Sequence, residues 1–159
     1  MDIKLQNDEW KLKLRVAGCV VKDDKILGVQ MCTNKFYCLP GGHVELGEST
    51  EDAVIREMKE EIDLDCKIVN LICFLENFFK SGDKKVHEIC YFYLMEPKED
   101  IVPKDYTREE NDKGVLKELR FKWLDLNSLQ EVDFRPPILK EKLCKKNWNF
   151  EHIIYNELK

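Results

Sequence analysis

The chain has 159 residues, 43% of them hydrophobic and 36% charged, with a formal net charge of −5. That length can bury a core but is short for two independent units, so residues 1–159 are expected to form a single domain. The acidic balance argues against a nucleic-acid polymer as partner, because counterion-driven binding needs a basic surface.

Seven cysteines (Cys19, Cys32, Cys38, Cys66, Cys73, Cys90 and Cys144) form an odd set without a CxxC pair, most of them in apolar surroundings. They read as reduced core residues rather than a disulfide framework or a zinc site. The segment MDIKLQNDEWK lacks the apolar run of a signal peptide, and no stretch of roughly 18 apolar residues offers a membrane span. A soluble, cytoplasmic protein without a membrane partner is the expectation.

From Lys11 to Met31 the chain reads as two strands, LKLRVAGCVVK and KILGVQM, joined at the charged turn Lys22-Asp23-Asp24-Lys25. Pro40-Gly41-Gly42 breaks that pattern. A helix is predicted over Ser49 to Ile62, where Ser49 and Asp52 resemble a capping box and Glu48, Glu51 and Asp52 set negative charge at the helix start. Val54, Met58 and Ile62, with Ala53 and Ile55, form its apolar stripe.

Two further strands, CKIVNLICFLENFF and VHEICYFYLME, flank the turn-like Lys80 to Lys85 and predict a second hairpin. The polar run Pro97 to Lys113 reads as a surface loop. A last strand, LKELRFKWLDL, leads into a helical piece at Asn127 to Gln130, and Pro136-Pro137 opens a final helix reaching about Lys145.

At about 100° per residue, Glu57, Glu60 and Glu61 fall within roughly a 100° arc beside the apolar stripe. Such an acidic face, met alone, is usually solvated surface. Here it is embedded in a longer pattern: Gly42, five residues, Glu48, seven residues, then Arg56-Glu57-Met58-Lys59-Glu60-Glu61-Ile62-Asp63-Leu64. This resembles the Nudix box, with one departure: Asp63 stands where the family has glycine. Asp tolerates the left-handed backbone such a helix end adopts, so the departure touches the cap rather than the carboxylates. The preceding Leu39-Pro40-Gly41 is also similar to the family.

The resemblance implies an α+β fold, a mixed β-sheet sandwiched between α-helices. It also implies a pyrophosphohydrolase that cleaves a diphosphate linkage in a small nucleotide-like substrate. Glu57, Glu60 and Glu61, with the Gly41 carbonyl, would ligate Mg²⁺ or Mn²⁺, cations that suit hard oxygen donors. Glu57 is the first choice for taking a proton from the attacking water. Arg56 would orient the carboxylates and Glu48 would hold Arg56 or a metal-bound water. A surface ion pair is the bland alternative for these last two.

Some relatives carry a further acidic residue outside the box, for which Glu118 and Glu88 are the candidates; His87 beside Glu88 could assist a proton transfer. Arg15, Lys35, Tyr37, Phe78 and Phe79 are candidates for substrate contacts, with core packing or a solvent-facing strand position as the alternative. ADP-ribose enzymes of the family often have a proline about fifteen residues after the box, and dinucleoside polyphosphate enzymes a tyrosine about seventeen after. Phe79 and Ser81 stand there, so the sequence selects neither substrate and leaves nucleoside triphosphates and nucleotide sugars open. A homodimer also stays open. The rival functions are a catalytically silent nucleotide-sensing module, against which the intact glutamates argue, and a metal-dependent isomerase of the same fold, whose additional catalytic residues are not identifiable.

Overall fold

The structure, a computed structural model, describes residues 1–31, 33–112 and 114–159. Among them nine strands run as β1 (Lys4–Gln6), β2 (Trp10–Lys22), β3 (Lys25–Met31), β4 (Gly41–His43), β5 (Cys66–Ser81), β6 (Lys84–Pro97), β7 (Tyr106–Asp112), β8 (Val115–Asp125) and β9 (Glu151–Asn156). Helix α1 (Thr50–Ile62) lies between β4 and β5; 3₁₀ turns at Leu126–Glu131 and Pro137–Leu139 and the short α2 (Lys140–Cys144) precede β9.

The strand order is β7-β8-β3-β2-β6-β5-β9, with β1 and β4 also paired to β2. The sheet is mixed, because β2 pairs with β6 and β5 with β9 in parallel while the other neighbours are antiparallel. The β2–β3 hairpin turns on Asp23 and Asp24, both at positive φ, as a two-residue loop with native strand twist requires. Only Val21↔Ile26 and Lys22↔Lys25 pair across it. Beyond them β3 turns away to β8, and β4 takes its place beside Arg15, Val16 and Ala17. That parting of β2 from β3 is where the Leu39-Pro40-Gly41-Gly42 segment enters the sheet.

Strand alternation sends side chains to two cores. On one face Ala53, Val54, Met58 and Ile62 of α1 pack on Val16, Val20, Leu27, Tyr93, Met95, Phe121 and Trp123. On the other, Leu126, Leu129, Phe134, Leu139 and Leu143 cover Cys19, Cys73, Leu75, Phe92 and Leu94. The sheet is therefore sandwiched between helical segments, as the family resemblance implied. Cys19, Cys66, Cys73 and Cys90 are buried and Cys38 and Cys144 half-buried, all as free thiols; Cys32 lies outside the described residues. No helix among the described residues is long and apolar enough to cross a membrane.

The expected loop from Pro97 to Lys113 is corrected in its second half: Tyr106–Asp112 form β7, antiparallel to β8, while Lys113 lies outside the described residues. The sequence TREEND carries no apolar alternation because β7 is an edge strand. It is anchored by Tyr106, whose ring stacks on Phe121 at 4.6 Å. The final helix begins after Pro136 but splits into a 3₁₀ turn and five α-helical residues. Strands β1, β4 and β9 were not anticipated.

Candidate active site

Helix α1 starts where its cap predicts, the Ser49 hydroxyl accepting the Asp52 amide at 3.0 Å. It ends at Asp63, held at φ 51°, whose amide closes on the Lys59 and Met58 carbonyls. Asp63 thus performs the left-handed role that glycine would have in the box pattern. A further seal comes from Arg108 of β7, whose Nη1 donates to the carbonyls of Glu60 at 3.0 Å and Glu61 at 2.7 Å. A cation there complements the negative helix end.

The carboxylate face is organised by Arg56. Its Nε and Nη2 grip both oxygens of Glu48 at 2.7 and 2.9 Å, Nη1 reaches Glu57 Oε1 at 2.9 Å and Glu60 Oε2 at 3.2 Å, and Nη2 also donates to the His43 carbonyl at 3.1 Å. This planar fork uses the bidentate geometry a guanidinium offers and lysine lacks. Glu48 is itself steadied by the Glu45 amide at 3.0 Å. The Arg56 guanidinium holds the Glu48 carboxyl at about 2, well below its usual range.

Glu57 and Glu61 are more enclosed. Burial pushes both carboxyls up, Glu57 against the pull of Arg56 and Glu61 to about 7 despite the hydrogen bond it accepts from the Gly41 amide at 2.8 Å. Two glycines make this geometry sterically attainable. A Cβ on Gly41 would overlap the Val16 carbonyl of β2, and one on Gly42 would fall inside the carboxylate of Glu57. Glu60 is exposed.

The structure thus brings Glu48, Arg56, Glu57, Glu60, Glu61 and Gly41 together. Among the described residues, no three histidine, cysteine, aspartate or glutamate side chains are gathered closely enough to hold a metal ion as they stand. Each of Glu57, Glu60 and Glu61 nevertheless keeps one oxygen without a donor among the described residues. That donor set, carboxylate oxygens only, fits a hard divalent cation.

The outlying candidates sit elsewhere. Glu118 is exposed, 3.3 Å from Arg120 and opposite Glu109, on the face of β8 turned away from the α1-facing Leu119 and Phe121. Glu88 is buried on β6, 3.6 Å from Arg15, on the sheet face opposite α1. His87 stacks on Phe78 at 4.3 Å. Tyr37 packs on the C-terminal helical cluster, Phe79 is half-buried and Lys35 is exposed. Sequence reasoning missed Arg108 and the His43 carbonyl; the first lay in a presumed loop, and the second is backbone, which leaves no side-chain signal.

Comparison with known proteins agrees with this architecture. The NUDIX domain family matches residues 12–142. An ADP-ribose pyrophosphatase of Methanocaldococcus jannaschii is 32% identical over 136 residues, spanning 83% of this chain and 73% of that protein. The uncharacterized Nudix hydrolase YvcI of Bacillus subtilis is 32% identical over 126 residues, spanning 77% of this chain and 72% of its own length. Among solved structures, a MutT protein from Bacillus halodurans shares the fold with a TM-score of 0.60 at 16% identity, covering 91% of each chain. With its box on α1 and its match along most of its length, the chain belongs to the Nudix family and is a pyrophosphohydrolase.

Proposed function

We propose that the chain hydrolyses the diphosphate linkage of a nucleoside diphosphate joined to a further group, with Mg²⁺ or Mn²⁺ held by Glu57, Glu60, Glu61 and the Gly41 carbonyl. The observation that carries this reading is the Arg56 fork. It fixes Glu57 and Glu60 from one side and leaves on each an oxygen without a donor among the described residues. When bound, the cation supplies charge neutralisation at the diphosphate and lowers the pKa of water at the site.

The chain's own residues do the rest. Glu57 takes the proton of the attacking water, a new phosphorus–oxygen bond forms, and the bond to the bridging oxygen breaks with its electron pair going to the departing phosphate. Glu48 and the His43 carbonyl hold Arg56, and Arg56 holds Glu57, so these act by positioning. Glu61 is set by the Gly41 amide. The free thiols of Cys19, Cys38, Cys66, Cys73, Cys90 and Cys144 fit a cytoplasmic setting.

The M. jannaschii relative places ADP-ribose in the substrate panel, beside nucleoside triphosphates and nucleotide sugars. The test is turnover of that panel with phosphate products identified, before and after chelation and with Mg²⁺ or Mn²⁺ restored. Activity that needs the restored cation is expected. Activity surviving exhaustive chelation would sink the metal assignment, and binding without hydrolysis of any compound would favour a sensing role.

A further inference from the structure

On the sheet face away from α1, alternation carries a polar row past the border of the apolar cluster. Arg15 on β2 shares its face with Ala17 and Cys19, Glu88 on β6 with Cys90 and Phe92, and Asn77 on β5 with Cys73 and Leu75. Asn77 stands directly opposite Glu88 in the β5–β6 pair, so their Cβ atoms are about 5 Å apart. Glu88 Oε2 in turn lies 3.6 Å from Arg15 Nη1. The three side chains span adjacent strands.

This row is poorly satisfied from within. Asn77 is 7% exposed and its Oδ1 has no hydrogen-bond partner; Glu88 is 8% exposed. Among the described residues none of the three side chains forms a hydrogen bond, and the Arg15–Glu88 pair is the one ion pair in the row. Buried polar groups are nearly always paired, since desolvation without a partner is costly. Packing alone would be better served by apolar residues here, as it is one step further along the same strands at Cys90 and Leu75.

The row also begins at the active site. Arg15 pairs across β2–β4 with His43, adjoins Val16 whose carbonyl abuts Gly41, and lies in the electrostatic field of Glu61. By strand order Arg15 is the member of the row next to β4 and the box, with Glu88 and Asn77 following on β6 and β5.

We propose that Arg15, Glu88 and Asn77 determine which nucleotide the site accepts. Arg15 meets a phosphate oxygen, while the Glu88 carboxylate and Asn77 Oδ1 accept from a pair of adjacent N–H or O–H donors on the nucleoside. A purine ring N–H beside a 2-amino group offers such a pair, and so does the cis-diol of ribose. This rests on the hydrolase reading for where the phosphates lie, but its test needs no turnover.

The experiment is calorimetric titration, in Mg²⁺ buffer, of the four common nucleoside monophosphates, IMP and ribose 5-phosphate into wild type, Glu88→Gln, Asn77→Ala and Arg15→Gln, with thermal melts beside them. The expected result is that Glu88→Gln and Asn77→Ala weaken the best-bound nucleotide about tenfold or more, whereas Arg15→Gln weakens every phosphate ligand alike. Loss against GMP but not IMP assigns the donors to the base; equal loss against ribose 5-phosphate assigns them to the diol. Asn77→Ala breaks no side-chain hydrogen bond among the described residues and decides the matter if Glu88→Gln fails to fold. Unchanged affinities in Asn77→Ala and in folded Glu88→Gln, or a wild type that binds none of these ligands, overturn the proposal. A wild type that binds nucleotide, loses it in the variants and yet hydrolyses nothing supports the row and removes the hydrolase reading.

Discussion

The two faces of α1 have the same length and backbone but are held by different physics. On the inner face Ala53, Val54 and Met58 are fully buried, and Met58 fills the notch left by Gly18, where a Cβ would lie 2.6 Å from its sulfur. On the outer face Arg56 satisfies Glu48, Glu57, Glu60 and the His43 carbonyl at once. The inner face tolerates any side chain of suitable volume and shape. The outer face needs particular donors and acceptors at particular distances. On the proposed function, stability and chemistry fall to separate sides of one helix, and substitutions should separate them too.

Met58→Ala tests the inner face and carries the largest expected effect. It should cost about 2 to 5 kcal/mol, because it removes a fully buried side chain and leaves a cavity against Gly18. Denaturant titration reads the loss, and turnover per folded molecule should change far less. Near-native stability would mean that α1 collapses onto the sheet without help from this contact.

Gly42→Ala strikes the boundary between the faces. The new methyl would displace the Glu57 carboxylate, which Arg56 pins, and a shift of about 1 Å in a catalytic group can lower turnover about 10²-fold. The melt should move little, because the obstructed atoms end a side chain. Gly41→Ala, in contrast, would press on the β2 backbone at Val16 and should destabilise the fold. Equal melting losses in the two variants would erase the distinction.

The smallest effect concerns Glu48. Its carboxyl is held at about 2 in the folded chain against an ordinary value near 4.5, and a depressed acid stabilises the fold above the higher value. That contribution is complete above about pH 4.5 and is lost as pH falls towards 2. Glu48→Gln should therefore cost most above about pH 4.5, neutral pH included, and converge on wild type as pH falls towards 2, which flattens the acid limb of the stability–pH curve across this window. An unaltered acid limb would show that the Arg56 fork adds nothing to stability.

Much of this arrangement is legible in the sequence because it is local. The four-residue spacing of Val54, Met58 and Ile62, the Ser49 cap and the Arg56 to Glu61 run all lie within one helix and its start. Asp63 could be placed in a left-handed end from its chemistry alone. What was not legible depends on distant chain. β4 is Gly-Gly-His, with no strand propensity, and exists because β2 supplies its partners. β7 is polar beyond Tyr106 because one side of it is an edge. Arg108 reaches the end of α1 from 47 residues away. Asn77 looks like any polar interruption in an aromatic strand until Glu88 stands opposite it.

The central claim is that Glu57, Glu60 and Glu61 serve chemistry rather than folding. Glu57→Gln, Glu60→Gln and Glu61→Gln each keep shape and remove charge. Their kcat on the best substrate, measured beside thermal melts, tests the claim most directly. Each kcat should fall by about 10² or more while the melts stay near wild type or rise as like-charge repulsion is relieved; wild-type turnover in all three would contradict the account and make this an ordinary solvated face.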